Sequence, residues 1–530
     1  MSDHLRLRRA LFDLLGLAAL FTVHFWAVKA SNMGGYEWPN LHLASRGIID
    51  FPHANRPLTL LWHLPPAQLW PHDLRAYLVT EWIYVVAGSG LLYAIVRRKA
   101  PEWPGMALLA GAISLTWVPT DHARLQPTVI VGYAGSSLGI LALLLLYLES
   151  WRRKSRVLLL ATSLGALLLA RIAEAVIPPL AIAPLLLPPP RPWSRLGPWL
   201  GAWFGALATG LAMVLPSALG RAESYQASLR FDPHPLRMLQ RLGLQFSHHL
   251  TPLVRVDVAE LAAPAVALAA GFFALLWWRA MRSDGGAPPS TAPGPAATVV
   301  GFCYAALAYA AFVPAAAFVN PVRTQILAAP GIAVALTGVA YLMARRLSPR
   351  AGMLLIGAFG AWVVAVGTGR TLALQRDWDR HGRFPAQRAV LSELVSLAPD
   401  VTPHTVFVLL DPSQAFPAVF PFRHAVEYMY ARRASGLAWG VPDLFYPYSF
   451  GAAGLRVEPA EALREPWQES PTTYRFDEIV VVSRERDGLR LLDAWPPVLP
   501  ALPAGARYEP RARIVFRDPR LASRSLLRYP

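Results

Sequence analysis

The chain concentrates its polar chemistry in a few short stretches between apolar runs. DFPHANRPLTLLWHLP, residues 50–65, holds Asp50, His53, Arg56 and His63, and GGYEWPN just before it holds Glu37. TDHARLQP (120–127) adds Asp121, His122 and Arg124, and VNPVRTQILAAPG (319–331) adds Arg323. A carboxylate beside an apolar wall can take a proton from a hydroxyl, and arginines bind phosphate through two parallel hydrogen bonds. Glu37 and Asp50 are candidate bases, and Asp121 serves as a further site acid or a metal ligand. Arg56, His122, Arg124 and Arg323 are the substrate-binding candidates. Arg56 precedes Pro57, which disfavours helix and suits a loop turning back toward a bilayer. The bland reading of each acid is a solvated loop carboxylate, and that of Arg323 an interfacial anchor. His53, His63 and His122 have no paired metal-ligand spacing, and the adjacent His248 and His249 point to different faces of a helix.

These residues sit between segments that read as membrane spans. Of 530 residues, 54% are hydrophobic and only 16% charged, against about a quarter charged in a soluble domain. Spans of roughly 20 apolar residues are expected near 10–29, 77–96, 105–119, 128–148, 157–173, 176–189, 197–218, 261–279, 298–318, 328–344 and 351–369, with the fifth and sixth forming a proline-rich re-entry. The first follows a basic start, and VKA (28–30) is a poor cleavage site, so an uncleaved anchor is expected. The formal net charge of +17 comes in short clusters between the runs, among them RLRR (6–9), RRK (97–99), RRK (152–154) and RRLSPR (345–350). That is the positive-inside pattern of a membrane protein. No separate basic module is present, so nucleic acid is not the expected partner; the lipid bilayer is. The single cysteine, Cys303, excludes a disulfide framework.

With the N-terminus inside, an odd number of spans places residues 371–530 outside, together with the polar stretches. There VFVLL (406–410), EIVVV (478–482) and ARIVF (512–516) read as strands, and FPAQRAVLSELVSLAP (384–399) reads as a helix. The expected architecture is therefore mainly α: a polytopic bundle of about eleven spans over 1–370 and a small extracytoplasmic α/β domain over 371–530. In DPHPLRMLQRLGLQFSHHL (232–250), Leu236, Leu239, Leu242, Phe246 and Leu250 form a helical stripe. It belongs either in the membrane interface or on the protein's own surface. Glu174 follows LLLAR, and Arg171 stands as its candidate partner. SDGGAPPSTAPGPAA (283–297) is a linker.

An acid after the first span, RPL before the second, a short acidic second loop and a C-terminal outer domain together resemble the GT-C glycosyltransferases. NRPLTLLWHL (55–64) is similar to the YRPL segment of transmembrane protein O-mannosyltransferases. PTDHARLQPTVIVGYAGSSLGILALLLL (119–146) is similar to their second loop and following helix, and ARIAEAVIPPLAIAPLLL (170–187) to a segment with a glutamate before a returning helix. The likeness covers roughly residues 10–190, and bacterial cell-envelope members are the nearer analogy. It implies a membrane glycosyltransferase that takes sugar from a polyprenyl-phosphate donor to an extracytoplasmic acceptor with inversion. It implies residence in a bacterial inner membrane and no organic cofactor; a divalent metal is compatible with it. The chain departs from the family in having one acid after the first span, with Asp50 later, where members often have a pair. Glu37 matches the family position directly after the span, so the resemblance ranks it first as the base and Asp50 second. A transporter or a polysaccharide polymerase or assembly protein is the alternative. Transporters usually show internal repeats and broken mid-membrane helices, whereas no repeat is evident here and the polar residues cluster in outer loops.

The charge pattern carries a direct test. A reporter active only in the cytoplasm, fused after Pro530, is expected to be silent; a bright signal would reverse the orientation and put the acidic loops on the wrong face.

Overall fold

The computed structural model describes residues 3–27, 37–48, 57–101, 103–117, 125–187, 193–220, 232–282, 293–314, 324–464 and 467–528. The described chain is mainly helical, with a small sheet region near the C-terminus. Its helices, in order, are α1 (Asp3–Ala27), α2 (Glu37–Ser45), α3 (Leu64–Leu69), α4 (Leu74–Lys99), α5 (Pro104–Thr116), α6 (Pro127–Arg153), α7 (Arg156–Ile172), α8 (Ile177–Leu180), α9 (Trp193–Gly220), α10 (Pro235–Leu250), α11 (Ala263–Arg282), α12 (Gly294–Ala310), α13 (Thr324–Ala344), α14 (Pro349–His381), α15 (Phe384–Leu397), α16 (Val419–Met429) and α17 (Glu461–Arg464). Local sequence sets many of their ends. Asp73 and Ser155 cap α4 and α7 by accepting from the backbone N–H groups of Arg75 and Leu158. Proline stands in the first turn of α5, α6 and α14, where its missing N–H costs nothing.

Among the described residues, α4, α6, α9, α13 and α14 are long and apolar enough to cross a membrane. The expected count of eleven is not reached on this measure. The apolar parts of α1, α5, α11 and α12 are shorter, and the expected span at 176–189 is not one helix. Residues 174–186 form 3-10 turns around the four-residue α8, because Pro178, Pro179 and Pro184 interrupt the hydrogen-bond ladder. Glu174 lies past the end of α7, where it opens a 3-10 turn at Glu174–Val176. Val157, Leu160, Leu164 and Leu168 leave an exposed apolar stripe along α7, the face a helix presents to lipid rather than to water.

The basic clusters gather at one end of the bundle. Glu149 near the end of α6 pairs with Arg98, Arg152 and Arg153, at 3.7, 3.6 and 2.8 Å. Arg195 lies over the Trp151 ring, and Tyr341 at the end of α13 meets Trp103 edge-on. Phe12 near the start of α1 touches Trp278 near the end of α11. Tyr77 lies near the opposite end of α4, about 30 Å from Arg98 at 1.5 Å per residue.

α12 and α13 pack backbone to backbone. A Cβ at Gly301 would lie 2.4 Å from the Ala335 nitrogen and 2.5 Å from the Gly331 oxygen, and one at Gly338 would lie 2.6 Å from the Thr298 nitrogen. Small residues permit such approach, and dispersion and packing hold helices together where lipid removes the hydrophobic drive.

The C-terminal region contains three small sheets. Strands β1 (Asp400–Val401), β2 (Thr405–Leu410), β3 (Ala434–Ala438), β4 (Tyr448–Gly451), β5 (Gly454–Val457), β6 (Thr472–Tyr474), β7 (Ile479–Glu485), β8 (Gly488–Leu491) and β9 (Ile514–Val515) follow in order. The central sheet runs β3-β2-β7-β8; β2 is parallel to both β3 and β7, with Val408 opposite Leu437 and Val481, and β8 is antiparallel. Helix α16 makes the β2-to-β3 crossover. Val406 to Leu409 and Ile479 to Val482 are almost wholly buried, as expected of parallel strands covered on both faces.

The division at 370/371 falls inside α14, which continues unbroken to His381. Nor is the C-terminal core separate. Trp38, Leu41, Leu43, Leu60, Leu74, Tyr77 and Val131 belong to the same apolar cluster as Phe407, Val426 and Val481. The expected outer loop of 30–76 thus supplies α2 and a 3-10 turn at Thr59–His63 to that core. In α10, Leu242, Phe246 and Leu250 pack on the bundle, whereas Leu236 and Leu239 are exposed; the stripe divides between the two expected settings. Of the expected linker at 283–297, residues 283–292 lie outside the described residues, whereas 294–297 are not linker but the first turn of α12, with Pro295 at its start.

The α12–α13 contact yields a contrast in sign. Gly301→Ala is expected to lower the thermal midpoint of the detergent-solubilised protein, because overpacking of this kind costs about 1–3 kcal/mol. Gly201→Ala, in α9 with nothing within 4 Å of its added Cβ, is expected to cause no loss.

Candidate functional site

The candidate site forms where α2 meets the C-terminal region, at the end of the bundle away from the basic clusters. Glu37 opens α2 and is fully buried. The rest of the helix is anchored on several sides. Trp38 Nε1 donates to Gln387 Oε1 at 2.9 Å, and Gln387 Nε2 donates to the Ala415 carbonyl in the loop leaving β2. Asn40 Nδ2 donates to Thr128 Oγ1 at the start of α6, 3.2 Å away. The RPL segment is tied nearby, with the Leu58 N–H donating to the Arg171 carbonyl and Thr59 Oγ1 to the Ile172 carbonyl.

One turn beyond Glu37, α2 places His42 against α16. His42 Nδ1 lies 3.0 Å from His424 Nδ1 and 3.7 Å from Glu427 Oε2. His424 Nε2 meets Tyr446 Oη at 3.1 Å, and Trp467 packs edge-on against the His424 ring. Arg423 lies between two acids, with Nε 3.1 Å from Glu427 Oε1 and Nη2 donating to Glu469 Oε2 at 2.9 Å. Ser435 Oγ also donates to Glu427 Oε1 at 2.9 Å. On the rim, Arg46 Nη2 donates to the Trp467 carbonyl. His42, Arg423, His424, Glu427 and Glu469 are all buried.

Burial determines the ionisation of this cluster. The His42 pKa falls to about 3, chiefly because burial disfavours the cation and secondarily because Arg46 is near. His424 falls well below the ordinary range, first through burial and then through His42 and Arg423. Both imidazoles are therefore neutral at pH 7. For Arg423, burial works against the guanidinium, but Glu427 and Glu469 outweigh it and raise its pKa. Glu469 is raised by burial and by Glu427, against the pull of Arg423. Separately, burial lowers His63, in the 3-10 turn, to about 4.

Of the residues singled out in the sequence, Glu37 has a described position. Asp50, Arg56, Asp121, His122, Arg124 and Arg323 lie outside the described residues, as does His53. The chain flanking them is described: Pro57 follows Arg56, Leu125 follows Arg124 and leads into α6, and Thr324 follows Arg323 at the start of α13. The Asn40–Thr128 bond brings α2 beside the chain leaving the second loop. Sequence reasoning missed the polar cluster altogether. Its local signal is the PFRHAVEYM run (421–429), where Arg423 and Glu427 stand at i and i+4 with His424 between them. His42 lies 382 residues from His424, so no spacing rule connects them.

Among the described residues, His42, His424 and Glu427 are the group whose donor atoms converge as metal ligands do, all within 4.8 Å of one another. No protein-family model matches this chain, and no curated protein matches it.

The ion network predicts an uneven response to substitution. Arg423→Leu leaves two buried carboxylates without their cation and is expected to cost about 3–5 kcal/mol. Arg75→Ala, which breaks an exposed pair with Asp73, is expected to cost roughly 0–1 kcal/mol. Thermal unfolding of the solubilised protein checks both; equal shifts would remove Arg423 as the organising cation.

Proposed function

We propose that this protein is an integral-membrane glycosyltransferase of the GT-C type. It moves a sugar from a polyprenyl-phosphate donor to an extracytoplasmic cell-envelope acceptor, whether glycan, lipid or protein. In this reading the bundle has about eleven membrane segments and lies in a bacterial inner membrane with its N-terminus in the cytoplasm. The C-terminal region then faces outward, and the outer polar segments form the reaction site. The observation that carries the reading is the position of Glu37. A carboxylate follows the first long helix, is fully buried, and opens a short helix held between the bundle and the C-terminal region. Burying a carboxylate is costly unless the surroundings use its charge.

The proposed reaction uses Glu37 together with the polar residues that the sequence singles out. The Glu37 carboxylate removes the proton of the acceptor hydroxyl, and the oxygen attacks the anomeric carbon from the face opposite the lipid phosphate. The bond from that carbon to the phosphate oxygen breaks, and the electron pair leaves with the phosphate. Arg56 and Arg323 bind the departing anion, with Arg124 and His122 completing the substrate contacts. One displacement inverts the anomeric configuration. Asp50, near Arg56 in sequence, and Asp121 are the acids next in line.

Glu37→Gln is expected to lower turnover by about 10²–10⁴-fold, the range for a positioned general base, with donor binding little changed. Asp50→Asn is expected to cost less. The measurement is sugar transfer by purified variants matched for expression and thermal stability, alongside glycan analysis of cell envelopes with and without the gene. Full activity in Glu37→Gln, Asp50→Asn and Asp121→Asn would remove the carboxylate-base mechanism. Unchanged envelope glycans would remove glycosyl transfer.

A further inference from the structure

We propose that His42 Nδ1, His424 Nδ1 and Glu427 Oε2 form a binding site for one divalent first-row transition metal of the zinc class. The site would fasten α2 to the C-terminal region. It does not rest on the transfer reaction and would stand if that reading failed.

The geometry is the first support. The two Nδ1 atoms are 3.0 Å apart, the carboxylate oxygen is 3.7 Å from His42 Nδ1, and all three donors fall within 4.8 Å of one another. An ion about 2.0–2.2 Å from tetrahedral nitrogen and oxygen ligands holds them roughly 3.3 Å apart. The separations from His42 Nδ1, 3.0 and 3.7 Å, fall within a few tenths of an ångström of that spacing. All three residues are buried, and they come from α2 and α16, elements far apart in sequence.

The hydrogen bonding around the ligands is the second. The two buried rings face each other through Nδ1, and a ligating imidazole binds in its neutral form. Two neutral rings facing through Nδ1 can share only one proton between those atoms. With a metal there, each ring would carry its proton on Nε2. His424 Nε2–H would then donate to Tyr446 Oη, already 3.1 Å away. A ligating histidine anchored through its other nitrogen is the usual supporting arrangement. Glu427 is braced likewise, since its second oxygen accepts from Ser435 and faces Arg423.

The donor chemistry selects the ion. Two imidazoles and one carboxylate suit zinc, cobalt or iron, whereas magnesium and calcium prefer oxygen ligands throughout. Arg423 is shared between Glu469 Oε2 and Glu427 Oε1, which leaves Glu427 Oε2 as the oxygen facing His42. Three protein donors leave a fourth position for water or another small ligand.

The test uses the full chain in detergent, stripped with chelator, dialysed and titrated with zinc or cobalt(II). Wild type is expected to retain one equivalent of zinc through gel filtration and to develop visible cobalt(II) ligand-field bands. The His42→Gln/His424→Gln double variant is expected to lose both. Tyr446→Phe, which keeps all three ligands, is expected to bind zinc roughly 10–100-fold more weakly, so a double variant that does not fold still leaves a measurement. Absence of retained zinc and cobalt bands in folded wild type would overturn the site. So would equal binding by wild type and a folded double variant, or unchanged affinity in Tyr446→Phe.

Discussion

The burial of α2 is the constraint on which the rest of the structure depends. At nine residues it is too short to cross a bilayer and too short to be stable alone. It exists because Trp38, Leu41 and Leu43 enter the apolar core built by β2, β7 and α16. That same burial carries Glu37 and His42 out of water, which requires partners for the polar groups around them. Arg423 meets the requirement on the C-terminal side by facing Glu427 and Glu469 together. Such a network is weak as a source of stability, since desolvation offsets most of its attraction. All three of its ionic groups belong to the C-terminal region, and α2 meets them through His42, 3.7 Å from Glu427 Oε2.

Charge and apolar surface divide along the same axis. The basic clusters share the end of the bundle near Glu149, and the C-terminal region covers the other end of α4 and α6. About 30 Å of helix separates them, close to the thickness of a hydrocarbon core. The exposed stripe of α7 fits that interval. Burial near the docked end is tighter: α2, the Thr59–His63 turn and the starts of α4 and α6 converge there, and polar side chains hold their positions. In the proposed reaction this is where a membrane-bound donor and a water-borne acceptor would meet.

Much of the helical framework was legible in the sequence because apolar runs, basic flanks and proline starts are local signals. α4, α6 and α14 begin near the positions that those signals indicate. The helix at 384–399 and the strands at 406–410, 478–482 and 512–516 likewise correspond to α15, β2, β7 and β9. The proline-rich segment at 174–186 was legible only in part. Its apolar content reads as a span, but its prolines break the backbone pairing that a span needs. The position of Glu37 directly after the first helix was visible, whereas its burial was not.

What the sequence determined by itself is therefore what depends on near neighbours: helical periods, turn chemistry and the clustering of positive charge. Tertiary structure decided that α14 crosses the expected domain boundary, that the first loop folds into the C-terminal core, and that His42 faces His424. The physical reason lies in the range of the interactions. A cap or a proline acts within one turn, so its effect can be read from adjacent residues. A buried imidazole pair or an arginine between two carboxylates exists only once distant segments exclude water together. Nothing in EWPNLHLAS or PFRHAVEYM alone specifies the other.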